Sequence, residues 1–223
     1  MLKTDYKKIS VTAVLCALSY ISVFLFRFSV SFLTFDFKDA FISIASLLYG
    51  PMYGLVSSFV VAFLELITVS DTAFYGFIMN FLSSAVFSVA IGFFYKYKRT
   101  FSGAILASVT AVLSMTAVMM LANIFITPYY MGVAVKDVIA LLPTLLLPFN
   151  LSKAILNAAV LLIIYKPVTK ALRKSKLLPE TYSKTYKAGF KTVVLIAVSI
   201  ILIILTVLFI ILHLNGSFLL FSI

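Results

Sequence analysis

The stretch Phe37-Lys38-Asp39-Ala40-Phe41-Ile42-Ser43-Ile44-Ala45-Ser46-Leu47-Leu48-Tyr49, stopped by Gly50-Pro51, reads as an apolar helix too short to cross a bilayer. At about 1.5 Å per residue it rises about 20 Å, against a hydrocarbon core of about 30 Å. Its neighbours are different. Ile9 to Phe28 precedes it, and Met52 to Val69, Gly76 to Tyr95, Ser102 to Thr127, Phe149 to Tyr165 and Thr192 to Leu214 follow, all apolar runs near spanning length. Only helices and closed barrels satisfy the backbone in lipid, and these runs lack the alternation of barrel strands. The predicted fold class is an all-α integral membrane protein. Hydrophobic residues make up 63% of the 223, and the mean hydropathy of +1.18 suits no soluble fold.

A membrane segment that falls short leaves depth to be filled. Residues Ser29 to Asp36 are expected to enter the membrane as irregular backbone, which is tolerated only where protein covers it or a cavity adjoins it. A pocket open on that side follows. Pro128, Gly132, Pro143 and Pro148 interrupt a second interval too apolar for a plain solvated loop, predicting a lid over the same cavity. The alternative for that interval is an interfacial helix around Val138 to Leu146.

Charge orients the chain. Lys3, Lys7 and Lys8, then Lys96, Lys98 and Arg99, then the basic stretch from Lys166 to Lys191 hold fourteen of the 18 Lys and Arg, with only Asp5 and Glu180 as acids. The opposite side holds Arg27, Lys38, Lys136 and Lys153 against Asp36, Asp39, Glu65, Asp71 and Asp137. The positive-inside rule then predicts a cytoplasmic N-terminus and, after a seventh span, an outside C-terminus. The first run is longer than a signal-peptide core and lacks a small-x-small cleavage site after it, so a retained helix is expected. The net charge of +11 is spent on topology, which argues against nucleic acid as a partner.

Several chemistries lack their residues. Cys16 and His213 are each alone in the sequence, so no disulfide within the chain and no Cys/His metal cluster is expected. No Gly is followed by Lys, so no P-loop is present and any ATP hydrolysis belongs to another subunit. The alternative classes are a purely structural membrane scaffold and an integral-membrane enzyme using Glu65 or Asp36 as a base. The enzyme reading lacks a paired carboxylate motif or a nucleophile with its histidine.

The polar residues inside the apolar runs are the candidates for function. Asn150, Lys153 and Asn157 fall at i, i+3 and i+7 and share one helix face. They suggest a pocket wall; otherwise Asn150 caps its helix and Lys153 snorkels. Glu65, Asn80 and Asn123 serve equally as ligand contacts or as interhelical hydrogen bonds, Glu65 requiring a partner such as Lys153 or Lys38. Tyr129 and Tyr130, with Phe35 and Phe37, suit either a flat ligand or an interfacial belt. Ala13 and Ala17 form a small-xxx-small pair on the first helix.

Leu33-Thr34-Phe35-Asp36-Phe37-Lys38-Asp39, Gly50-Pro51, Asn123 through Pro128 to Tyr130, and Pro148-Phe149-Asn150-Leu151-Ser152-Lys153 together resemble the riboflavin-specific S components of energy-coupling factor (ECF) transporters, the RibU type. The match covers roughly residues 8 to 172. It implies a six-helix S-component bundle over 1–172; the basic cytoplasmic linker over 173–191 and the one additional C-terminal transmembrane helix over 192–214, read from charge and hydropathy, are not part of the standard S component. The implied function is capture of riboflavin from outside a bacterial cytoplasmic membrane. The implied partners are a transmembrane coupling protein and two ATPases, and no cofactor is implied beyond the transported vitamin.

Carried over by position, Asp36, Asn123, Asn150 and Lys153 are the ligand-site candidates, with Phe35 and Phe37 in the covering loop. Asp39, Glu65, Asn80 and Tyr130 complete the set, while Ala13 and Ala17 match the element that contacts the coupling protein. Thr34 and Lys38 stand where the family pattern has Lys and Ser, and the connection Leu66 to Gly76 is shorter than usual. Flavin mononucleotide (FMN) or another vitamin is the alternative ligand.

Overall fold

The computed structural model describes residues 6–69, 72–177 and 190–213. Most of the expected linker (178–189), together with Lys3, Asp5, Asp71 and Leu214, lies outside these residues. In chain order the elements are α1 (Tyr6–Leu25), β1 (Phe28–Val30), β2 (Leu33–Phe35), α2 (Lys38–Tyr49), α3 (Pro51–Thr68), α4 (Ala73–Tyr97), α5 (Phe101–Met131), α6 (Val135–Leu141), α7 (Leu147–Lys174) and α8 (Phe190–His213). Among the described residues five helices are long and apolar enough to cross a membrane: α1, α3, α4, α5 and the α6–α7 run.

α2 is short as expected. Gly50 terminates it at φ +102°, a conformation suited to glycine, and donates its N–H to Ser46 O at 2.9 Å. Pro51 opens α3, where its missing N–H costs nothing. Around this corner α4 approaches closely: a Cβ on Gly92 would overlap Ser46 Oγ and lie 3.0 Å from Pro51 N. Small residues elsewhere, among them Ala40, Ala45, Ala107, Ala111 and Ala154, bring α2, α5 and α7 together in one core.

The irregular stretch expected at Ser29 to Asp36 is instead an antiparallel hairpin. Phe28 pairs with Phe35, Ser29 with Thr34 and Val30 with Leu33, around a turn in which Ser31 has φ +54°. The strands satisfy one another's backbone groups, which removes the cost of irregular chain at membrane depth. Phe-Ser-Val and Leu-Thr-Phe alternate apolar and polar, so one hairpin face is buried. Phe28, Val30 and Phe35 pack there with Phe149, Leu156 and Ile210.

The expected lid between Pro128 and Pro148 is not seen, and the alternative of a short helix is closer. α5 continues through Pro128, ending where Gly132 turns left-handed at φ +66° and bonds Pro128 O. Pro143 lies in a π-helical turn, Leu142–Leu146, whose shifted bonding carries α6 almost directly into α7. Three of the four predicted breaks are thus absorbed within helix. α7 itself runs to Lys174, well past the predicted Tyr165 and through Pro167.

Candidate functional site

The N-terminus of α2 is buried within the bundle, with Lys38, Asp39 and Ala40 shielded from solvent, so its free N–H groups require partners. α7 supplies them through Asn157. Its Oδ1 accepts from Ala40 N at 3.0 Å, and its Nδ2 donates to Asp36 O at 2.9 Å. One turn away, Lys153 Nζ donates to Asp36 Oδ2 at 2.8 Å and to Thr34 O at 3.2 Å. The polar stripe on α7 therefore fastens both the hairpin and α2.

A chain of charges continues across the bundle. Lys38 Nζ lies 3.7 Å from Asp36 Oδ2 and 2.7 Å from Glu65 Oε2. Asn80 Nδ2 donates to the same Glu65 oxygen at 2.9 Å, and Ser84 donates to Asp39. All five charged side chains are almost completely buried. Such groups are expensive within a membrane unless paired, and here positive and negative members alternate.

Beside this network lies a cavity of about 340 Å³, walled by the ends of α1, α3, α4, α5 and α7 and by the hairpin. The basic segments Lys96 to Arg99 and Lys170 to Lys174 lie at the opposite ends of α4 and α7. Seven predicted residues line the cavity: Asp36, Glu65, Asn80, Asn123, Tyr130, Asn150 and Lys153. Asn123 donates to Met119 O and accepts from Thr127, while Asn150 donates to Leu146 O, so both amides are held in place by their own helical stretches. Among the described residues Glu65 Oε1 and Ser83 Oγ are buried without a hydrogen-bond partner, leaving polar atoms on lining residues for an occupant to satisfy.

Three predicted ligand residues stand elsewhere. Phe35 is fully buried in the hairpin's other face, its ring stacked 4.8 Å from that of Phe28 and tilted against that of Phe149 at 4.4 Å. Phe37 packs edge-on against Phe26, and Asp39 points to Ser84. No residue from 131 to 148 lines the cavity; the hairpin's Ser29, Ser31, Phe32, Leu33 and Thr34 form the wall expected of the lid. Arg27, Tyr75, Ser83 and Thr127 also line it and were missed. Thr127 is one turn from Asn123 and Ser83 three residues from Asn80, so helical spacing from known candidates was the available signal. Ala13 and Ala17 are exposed on the outer face of α1, remote from the cavity lining.

The volume lies within the range of small-molecule sites, and the lining combines aromatic and aliphatic walls with a few fixed polar groups. The profile of the family described as "ECF transporter, substrate-specific component" matches residues 7–165. The riboflavin transporter RibU of Staphylococcus aureus (strain TCH60) is 26% identical over 179 residues, covering 75% of this chain and 93% of that protein. A solved S component of a bacterial ECF transporter superposes with a TM-score of 0.66 at 26% identity, over 76% of this chain and 99% of its own. The cavity is thus carried by a multi-pass membrane scaffold of transport subunits rather than enzymes, and the chain belongs to the family of substrate-specific (S) components of ECF transporters.

Proposed function

We propose that this S component captures riboflavin from the outer side of the cytoplasmic membrane and delivers it inward with a coupling protein and two ATPases. The observation that carries the reading is the cavity flanked by the Asp36–Lys153 pair, at the end of the bundle away from the basic segments. Positive-inside topology places that end outside and the N-terminus in the cytoplasm. The architecture is read as six membrane helices, α1 to α5 and α7 with its α6 lead-in, plus α8 as a seventh that ends outside. A tricyclic ring with hydrogen-bonding edges and a hydroxylated chain suits aromatic walls with amides and hydroxyls. Riboflavin is cargo here, not a resident cofactor.

Titration of the purified full chain with riboflavin is expected to quench flavin fluorescence at a one-to-one ratio. FMN is expected to bind at least about tenfold more weakly, because its phosphate would meet Asp36 and Glu65; that corresponds to about 1.4 kcal/mol. No quenching by riboflavin would overturn the assignment, and native mass spectrometry showing a different retained vitamin would redirect it.

Ala13 and Ala17 are assigned to the coupling-protein contact because their small side chains leave an exposed seam on α1. Ala13→Trp is expected to leave the flavin titration unchanged while abolishing uptake in cells that supply the coupling module. Unaltered uptake would show that this face is not the docking surface.

A further inference from the structure

α8 meets the bundle in two ways along its length. Near one end, Ile203, Val207 and Ile210 close onto the buried face of the hairpin, and Ile210 has no exposed surface. Towards the other end α8 stands off. Val194, Val198 and Leu202 then face Ser102 to Leu113 of α5 and Ile155 to Leu162 of α7 across an apolar slot of about 750 Å³.

The slot's length and lining point to its occupant. Along α5 it extends over eleven residue steps, about 17 Å, which is close to half of a hydrocarbon core of about 30 Å. Water finds few hydrogen-bonding partners on its largely apolar walls. A flexible hydrocarbon chain fits both the length and the surface.

Charge then selects the headgroup. The slot begins at Ser102, just after the exposed Lys96, Lys98 and Arg99, and α7 continues beyond Leu162 to the exposed Lys170 and Lys174. Among the described residues no Asp or Glu lies on these segments. Basic residues beside an apolar slot attract acidic lipid from the adjoining leaflet.

We propose that this slot is a binding site for one anionic glycerophospholipid, with an acyl chain between α5, α7 and α8 and its headgroup at the Lys98 and Lys170 end. Among the described residues the site shares no lining residue with the vitamin cavity.

The test uses the full chain in detergent, titrated with phosphatidylglycerol or phosphatidylcholine of identical acyl chains. Native mass spectrometry is expected to show one phosphatidylglycerol retained per chain, with at least tenfold preference over phosphatidylcholine and a raised melting temperature. Val198→Trp, at an exposed position on α8, fills the slot and is expected to reduce retention at least tenfold. The pair Lys98→Gln and Lys170→Gln is expected to erase the headgroup preference. Equal retention of the two lipids by the unaltered chain would overturn the proposal, as would retention that Val198→Trp leaves intact.

Discussion

Lys153→Ala is expected to lower the melting temperature sharply and to abolish measurable flavin binding. The ammonium group is buried, and both of its hydrogen bonds, to Asp36 Oδ2 and Thr34 O, fasten the hairpin to α7. Removing one member of a buried ion pair costs about 3–5 kcal/mol, chiefly because the abandoned charge stays desolvated. Wall and ligand contact are then lost together. Lys153→Met combined with Asp36→Asn separates them by removing both formal charges. The double variant is expected to recover most of the thermal stability, since a neutralised pair leaves no stranded carboxylate. Flavin binding is expected to remain at least about tenfold weaker, from a lost charged hydrogen bond of about 1.5–3 kcal/mol. Full recovery of binding in the double variant would make Lys153 a strut and remove it from the ligand contacts.

The membrane class and the short α2 were legible because they depend on local quantities, run length and the Gly50-Pro51 stop. The hairpin was not. Phe28-Ser29-Val30 and Leu33-Thr34-Phe35 carry a two-residue period, but three-residue strands are too short to assert themselves without the tertiary partners Phe149, Leu156 and Ile210. Pro128 and Pro143 misled for a related reason. A proline removes one helical bond and adds a clash, and the bundle accommodates both through continued packing of α5 and the π turn before α7.

At the cavity, side-chain chemistry pointed to the right neighbourhood for Asp36, Lys153 and the asparagines, because a polar atom in an apolar run requires a partner somewhere. It could not separate the two hairpin faces. Phe35 and Thr34 are adjacent in sequence yet point oppositely, so a motif read as a unit placed Phe35 at a cavity that only Thr34 lines. Asn157 illustrates the converse. It belonged to the predicted stripe on α7, and its role at the start of α2 follows from a contact 117 residues away in sequence.

Lys38 gives the second large effect, and its sign pattern distinguishes electrostatics from packing. The buried network holds three carboxyl groups, those of Asp36, Asp39 and Glu65, against two amines, those of Lys38 and Lys153. Lys38→Met preserves most of the side-chain volume while leaving one amine for three acids. Glu65 then loses its 2.7 Å partner and keeps only the Asn80 amide, so a loss of about 3–5 kcal/mol is expected, seen as a large fall in melting temperature. Glu65→Gln should be milder, because the glutamine oxygen still accepts from Lys38 and Asn80 and the remaining acids and amines are equal in number. Adding Glu65→Gln to Lys38→Met is therefore expected to restore part of what Lys38→Met removes, a coupling that independent packing losses do not produce. Melting curves of the four proteins measure it directly. If the two losses simply add, the Lys38–Glu65 contact is incidental, and the start of α2 is held by its other contacts, Asn157 to Ala40, Ser84 to Asp39 and Ser19 to Lys38 O.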